Sequence, residues 1–173
     1  MCSSDLIAFM MKRQSNGKII FRQERIGYKG RPFTMYKFRT LSSEIEENGP
    51  QLIPNGENCG STRFEQYLRR THLDELPQLW NVFKGDMAFI GPRPEREYYI
   101  KKIMEVDPRY YMLYQIRPGV TSYATLYNGY TDTLEKMVRR LRLDLFYLEN
   151  RSFMMDIKII TKTFFNIVFG KKF

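Results

Sequence analysis

The chain has 173 residues, 43% of them hydrophobic, enough for one buried core and most simply one domain. Two cysteines, Cys2 and Cys59, argue against a disulfide framework or a paired-cysteine zinc site and fit a reducing, cytosolic setting; a single histidine, His72, argues against Ser-His-Asp, Cys-His and His-rich metal chemistry. The net charge of +9, from 28 Lys and Arg against 19 Asp and Glu, suits an anionic partner such as nucleic acid, a membrane surface or a phosphorylated substrate, although a solvated basic face also accounts for it.

Along the chain, Cys2 to Leu6 reads as non-native, so residues 1–6 carry no functional expectation and 7–173 are taken as the domain. Leu6 to Met11 is apolar and stops at Lys12-Arg13, like the tail of a longer hydrophobic helix at its interfacial cations. No run of about 18 apolar residues is present, so no bilayer-spanning helix is expected. Gly17 to Leu41 alternates apolar and aromatic stretches around Gly27-Tyr28-Lys29-Gly30-Arg31-Pro32, which predicts a β-hairpin. Glu44 to Gly60 is polar and rich in Gly and Pro, and reads as an exposed loop.

Thr62 followed three residues later by Glu65 fits a capping box, and Phe64, Tyr67, Leu68 and Thr71 continue a helix from about Arg63 to His72. A second helix is expected to begin at Asp74-Glu75-Leu76-Pro77 with Asp as N-cap, burying Leu76, Leu79, Trp80 and Phe83 on one face and ending at Gly85-Asp86. Met87 to Ile90 reads as a short strand, followed by the stiff turn Gly91-Pro92-Arg93-Pro94 and a helix from Glu95 to Val106. After a second rigid turn, Arg117-Pro118-Gly119-Val120-Thr121, a helix is expected from Thr133 to Glu149 with a buried stripe of Leu134, Met137, Val138, Leu141, Leu145 and Leu148. Asp156 to Phe169 is apolar almost all round apart from a narrow row of Lys158, Lys162 and Asn166, so that helix is buried or lies in a membrane interface.

Three constellations can carry chemistry. Asp74-Glu75 at a helix start would sit where the backbone favours negative charge, and adjacent helical residues project about 100° apart, leaving one carboxylate to attack and the other to bind a metal. Taken alone, such a pair is most simply a capping device. Lys37, Arg39, Arg69, Arg70, Arg93 and Arg117 fall at or near turns, where a guanidinium held between prolines suits bidentate phosphate binding; surface solubility is the simpler reading of any one of them. Trp80 with Tyr110, Tyr111, Tyr114, Tyr123, Tyr127 and Tyr130 could form a stacking platform for single-stranded nucleic acid, although core packing better explains Trp80.

The ordered motifs Phe21-Arg22-Gln23-Glu24-Arg25-Ile26-Gly27, Met35-Tyr36-Lys37-Phe38-Arg39-Thr40, the run from Leu68 through Asp74-Glu75 to Met87, Ile90-Gly91-Pro92-Arg93-Pro94, Arg117-Pro118-Gly119-Val120-Thr121 and the Asp144 to Asp156 segment resemble the bacterial sugar transferases, the monotopic phosphoglycosyl transferases. The resemblance covers nearly everything from Ile7 on. It implies an α+β, largely helical monotopic domain at the cytoplasmic face of the bacterial inner membrane, with only the tail (Ile7 to Met11) of an N-terminal re-entrant helix present. It also implies that Asp74 and Glu75 are catalytic. Asp74 would attack the phosphorus nearest the sugar of a nucleotide (uridine) sugar donor, and polyprenyl phosphate would then take the phospho-sugar from the aspartyl intermediate. Glu75 would help hold Mg²⁺, and Lys37, Arg39, Arg69, Arg93 and Arg117 would surround the phosphates. Nucleic acid is not expected as a partner, a membrane surface is, and a homodimer is left open. Where the family often reads Gly-Trp-Ala after Pro-Gly-Val-Thr, this chain has Ser122-Tyr123-Ala124. The rival expectation is a non-catalytic basic module that binds an anionic membrane or nucleic acid.

Overall fold

The structure, a computed structural model, describes residues 19–40, 62–129 and 131–169. The apolar Ile7 to Met11 tail, residues 1–6, the polar Glu44 to Gly60 loop and Tyr130 lie outside the described residues. The fold class is α+β and mostly helical, as expected, with two small sheets of two strands each.

The predicted hairpin forms from β1 (Ile20–Ile26) and antiparallel β2 (Pro32–Phe38), paired from Ile20 opposite Phe38 to Ile26 opposite Pro32. A 3₁₀ turn over Tyr28–Gly30 closes it; Gly30, at φ 69°, supplies a left-handed conformation that costs glycine little. Phe38 and Leu68 are buried together, with Phe64, Leu73 and Leu76 packed against them. This small cluster fastens the hairpin to α1 (Arg63–Arg70) and to the turn that follows, while Thr62 and Glu65 form the expected capping box. The larger core gathers Tyr99, Ile100 and Ile103 of α3 (Glu97–Val106), Tyr110 and Leu113 of the 3₁₀ segment Pro108–Gln115, and Met137, Leu141 and Leu145 of α5 (Leu134–Asn150).

Helix α1 stops at Arg70 rather than at His72, because His72 takes the left-handed conformation (φ 55°) and turns the chain out of the helix. The expected helix start at Asp74 is also corrected. Leu73–Glu75 form a 3₁₀ turn, and α2 begins only at Gln78 and runs to Lys84. The backbone bonds show why: the Leu79 and Trp80 N–H groups reach back only three residues, to the Leu76 and Pro77 carbonyls at 3.0 and 3.1 Å. The Leu76 N–H bonds the Leu73 carbonyl at 3.3 Å in the same tighter pattern.

The expected packing of α2 is reversed. Trp80 is 55% and Phe83 80% exposed, with Leu79 also exposed, whereas Gln78 and Asn81 are buried. Asn81 decides the orientation. Its amide donates to the Thr34 carbonyl at 2.7 Å and accepts from the Tyr36 N–H at 3.1 Å, so the side chain bonds the β2 backbone much as a neighbouring strand would.

Strand β3 (Ala88–Ile90) pairs in parallel with β4 (Gly119–Thr121), and this pairing brings the two proline-flanked turns together. Gly91 and Gly119 are both required by close approach: a Cβ on Gly91 would lie 2.3 Å from the Arg117 carbonyl oxygen, and one on Gly119 would lie 2.1 Å from the Gly91 nitrogen. Helix α4 (Tyr123–Asn128) then leads to α5, whose Met137, Val138, Leu141 and Leu145 are buried as predicted while Leu134 is exposed. Helix α6 (Phe153–Val168) begins earlier than Asp156, because Ser152 caps it by accepting from the Met155 N–H. Among the described side chains of α6 only Ile159 is buried; Phe153, Met154, Ile157, Ile160, Phe164 and Phe165 are exposed. No helix among the described residues is long and apolar enough to cross a membrane.

Candidate active site

The 3₁₀ turn between α1 and α2 places Asp74 and Glu75 below the end of the hairpin. Lys37 on β2 bonds Glu75 Oε1 at 2.5 Å, and Arg93 reaches the same oxygen at 3.3 Å from the proline-flanked turn after β3. Three separate pieces of chain thus converge on one carboxylate. Burial alone would push the Glu75 carboxyl up, but the two cations outweigh it and hold the group well below the usual carboxylate range, fully ionised.

Asp74 behaves in the opposite sense. It is 8% exposed, and its Oδ1 is buried without a hydrogen-bond partner. Loss of solvent raises its pKa to about 6; the neighbouring Glu75 charge adds to the rise, while Lys37, Arg93 and Arg69 oppose it. At neutral pH the Asp74 carboxylate is therefore mostly ionised yet poorly solvated, the condition under which an oxygen makes a competent nucleophile. His72 borders the turn; burial lowers its pKa, with Glu75 pulling the other way and Arg93 and Lys37 adding to the fall.

Of the five cations read from the sequence, Lys37 and Arg93 touch Glu75, and Arg69 on α1 acts on Asp74 through its charge. Arg39 follows β2, where its backbone N–H bonds the Ile19 carbonyl at 2.9 Å. The Arg117 guanidinium lies 5.9 Å from the Tyr28 ring centroid beside the hairpin turn. Among the described residues Arg39, Arg69 and Arg117 form no ion pair, so of the expected set Lys37 and Arg93 are the ones that bond a carboxylate of the pair directly.

Two features escaped the sequence reading. Asn81 fixes α2 against the hairpin, as described above. Behind Arg93 lies a buried charge network: Glu95 accepts from Arg25 of β1 and from Arg140 of α5, each at 3.0 Å, and Asp144 stands one helical turn beyond Arg140. Charged Asp144 flanked by Leu141 and Leu145 on the buried stripe was the available signal.

A metal site must be judged from the donors present. Among the described residues there is no group of three or more His, Cys, Asp or Glu side chains able to hold a metal ion. Asp74 and Glu75 nevertheless offer adjacent carboxylates, one with an unpartnered buried oxygen. Such a pair suits Mg²⁺, which commonly takes one or two protein carboxylates and completes its shell with phosphate oxygens and water.

Residues 2–170 match the family model described as bacterial sugar transferase. A UDP-N-acetylgalactosamine-undecaprenyl-phosphate N-acetylgalactosaminephosphotransferase of Aeromonas hydrophila is 34% identical over 94% of the chain and 38% of its own length. A UDP-glucose:undecaprenyl-phosphate glucose-1-phosphate transferase of Klebsiella pneumoniae is 38% identical over 92% of the chain and 35% of its own length. The uncharacterized sugar transferase EpsL of Bacillus subtilis is 34% identical over 94% of the chain and 77% of its own length. The chain therefore spans a little over a third of the first two relatives and about three quarters of the third.

Proposed function

Because the chain belongs to the bacterial sugar transferase family, we propose that it moves a sugar 1-phosphate from a nucleotide sugar, with uridine as the expected nucleotide, onto polyprenyl phosphate. The observation that carries this reading is the buried, unpartnered Asp74 oxygen beside a Glu75 held ionised by Lys37 and Arg93. Undecaprenyl phosphate is the acceptor named for the Aeromonas and Klebsiella relatives.

An Asp74 oxygen attacks the donor phosphorus nearest the sugar, and the bond from that phosphorus to the bridging oxygen breaks. The nucleoside monophosphate leaves with the bonding electrons. An oxygen of polyprenyl phosphate then attacks the same phosphorus, the bond to Asp74 breaks, and the carboxylate is restored. No external base is needed to activate Asp74, since a group titrating near 6 is mostly ionised at neutral pH. Lys37 and Arg93, already gathered on Glu75, lie where donor phosphate charge would accumulate, and Arg69 adds a third cation close to Asp74. Mg²⁺ held by Glu75 and Asp74 would supply charge neutralisation of the diphosphate. Arg39 and Arg117, which form no ion pair among the described residues, remain candidates for the sugar or nucleotide end.

The exposed faces of α2 and α6 support attachment to a membrane surface, where a polyprenyl acceptor resides. Leu79, Trp80 and Phe83 on one helix, with Phe164 and Phe165 on the other, are apolar side chains left in solvent, and Lys158 and Lys162 add positive charge to α6. The cytoplasmic face of the bacterial inner membrane is the location this reading requires.

The test is a single-turnover assay with UDP-glucose and UDP-N-acetylgalactosamine as donors in the absence of acceptor. A burst of UMP stoichiometric with protein, absent from Asp74→Asn, is the expected result. Release that appears only when polyprenyl phosphate is added would replace the covalent route with direct transfer, and phospholipid binding with no release from any donor would favour the non-catalytic module.

A further inference from the structure

We propose that Glu95 is a positioning residue for the Asp74-Glu75 site: clamped between Arg25 and Arg140, it fixes the turn that carries the Arg93 guanidinium onto Glu75. The inference rests on the transfer reading for its effect on turnover, but its geometry is independent of it.

Glu95 is buried, and each of its oxygens has its own guanidinium. Oε2 accepts from Arg25 Nη1 and Oε1 from Arg140 Nη1, both at 3.0 Å. The same Arg25 nitrogen also donates to the Pro94 carbonyl at 3.3 Å, and the Ile26 N–H bonds the Glu95 carbonyl at 3.1 Å. Strand β1 therefore grips both the backbone and the side chain of this segment, while helix α5 grips the side chain from the other side. Upstream of Arg93, the Pro92 carbonyl accepts from the Gly119 N–H at 3.0 Å. Arg93 is thus held on both flanks, between two prolines whose φ angles are set by their rings. With its backbone fixed, the remaining freedom of Arg93 lies in its side chain, whose end is 3.3 Å from Glu75 Oε1.

Charge leads to the same residue. Arg93 lies close enough to Arg25 and Arg140 for its charge to oppose theirs, and Glu95 attracts all three. Arg93, Glu95, Tyr110, Arg140 and Asp144 all line one small cavity, so the network and the Arg93 turn adjoin each other. Without the Glu95 charge, two buried guanidiniums would repel Arg93 from behind. Glu95 itself touches neither Asp74 nor Glu75, so it acts only through Arg93.

The experiment uses Glu95→Asp, which keeps the charge but is one methylene too short to reach both guanidiniums. Arg140→Lys, which keeps the charge on α5 and loosens the clamp, is the second variant should the first fail to fold. In full-length protein labelled with ¹⁵N-arginine, the Arg93 Nε–H signal is assigned by its loss in Arg93→Lys. The expected result in either variant is roughly tenfold faster hydrogen exchange at that signal, with a thermal midpoint within a few degrees of the parent. UMP release from the donor found active should fall roughly 10- to 100-fold, as expected when a catalytic group is slightly misplaced. The same change made in Arg93→Ala should cost less than about twofold more, since its effect passes through a side chain no longer present. An unchanged Arg93 signal, or a loss fully additive with Arg93→Ala, would reduce Glu95 to a structural ion pair. If the parent releases no UMP, the transfer reading fails while the exchange measurement still decides the role of Glu95.

Discussion

Asp74 and Asp144 are two buried aspartates with opposite settings. Both have an Oδ1 without a hydrogen-bond partner, and loss of solvent raises both carboxyls, Asp74 to about 6 and Asp144 to about 7. Asp74 sits in a short 3₁₀ turn beside Glu75, with Lys37 and Arg93 gathered on that neighbour. Asp144 sits at 2% exposure on the sealed face of a 17-residue helix, with Arg140 one turn before it and the backbone N–H groups of Ala124 and Arg93 turned toward its carboxylate. The comparison teaches that a raised carboxyl is not by itself a reactive one. Desolvation prepares both groups, and their company separates them: Asp74 adjoins a second carboxylate that carries Lys37 and Arg93, whereas Asp144 faces Arg140 and the buried Glu95.

The sharpest way to break the comparison is to neutralise each aspartate in turn. Asp74→Asn should lower UMP release by at least about 1000-fold, the scale expected when a nucleophile is removed. Asp144→Asn keeps an acceptor oxygen and should stay within about threefold of the parent, because the group touches no reacting atom. Equal losses in the two variants would mean that the buried network, and not the turn, carries the chemistry.

Glu75→Gln should give the next largest change. It keeps the shape of the side chain but leaves Lys37 and Arg93 facing a neutral amide, so turnover should fall roughly 10- to 100-fold, with a higher Mg²⁺ concentration needed for half-maximal rate. Magnesium titrations of parent and variant check this, and an unchanged magnesium requirement would remove Glu75 as a ligand.

The two aspartates should also separate by pH. A carboxyl raised in the folded state binds its proton more tightly there than in the unfolded chain, so its contribution to stability is greatest in acid and falls as pH rises from about 4 to its folded value. For Asp144 that decline should run to about pH 7, and for Asp74 only to about pH 6. Asp144→Asn should therefore raise the unfolding free energy relative to the parent progressively from pH 4 to 7 and hold the gain above, by about 1–4 kcal/mol. Asp74→Asn should show a smaller gain that levels off near pH 6. Glu75 runs the other way, stabilising above its unfolded value and losing that contribution as pH falls through its depressed folded value. Melting curves from pH 4 to 8 resolve the two aspartate windows, and curves taken below pH 4 follow Glu75.

The smallest stability effect belongs to the exposed aromatic face. Phe83→Ser should alter unfolding free energy by no more than about 0.5 kcal/mol, because a residue so exposed has little packing to lose. Flotation on vesicles containing phosphatidylglycerol should nevertheless weaken, and a destabilisation comparable to a core mutation would place Phe83 inside an interface instead.

Much of this protein was legible from local chemistry. Alternation around Gly27 to Pro32 specified the hairpin, Thr62 with Glu65 specified a helix start, and the spacing of Met137, Val138, Leu141 and Leu145 specified the buried stripe of α5. Each depends on neighbours within one or two turns, which is the range that sequence periodicity reports. The adjacency of Asp74 and Glu75, and the rigidity of the two proline-flanked turns, could be read in the same way.

Tertiary structure decided the rest. Helical spacing marked Leu79, Trp80 and Phe83 as an inward face, but Asn81 bonds the backbone of β2 and turns the helix over, a contact between residues 45 and 47 positions apart. Of the expected cations, Lys37 and Arg93 reach Glu75 from 38 and 18 positions away, a convergence that no local spacing announces. Glu95 finds Arg25 and Arg140 across 70 and 45 positions. Residue type states what a side chain can bond, and local spacing states which face it occupies. Which distant partner meets it is set only when the hairpin, the paired turns and the long helix pack together, because those partners are brought near by the core and not by the chain between them.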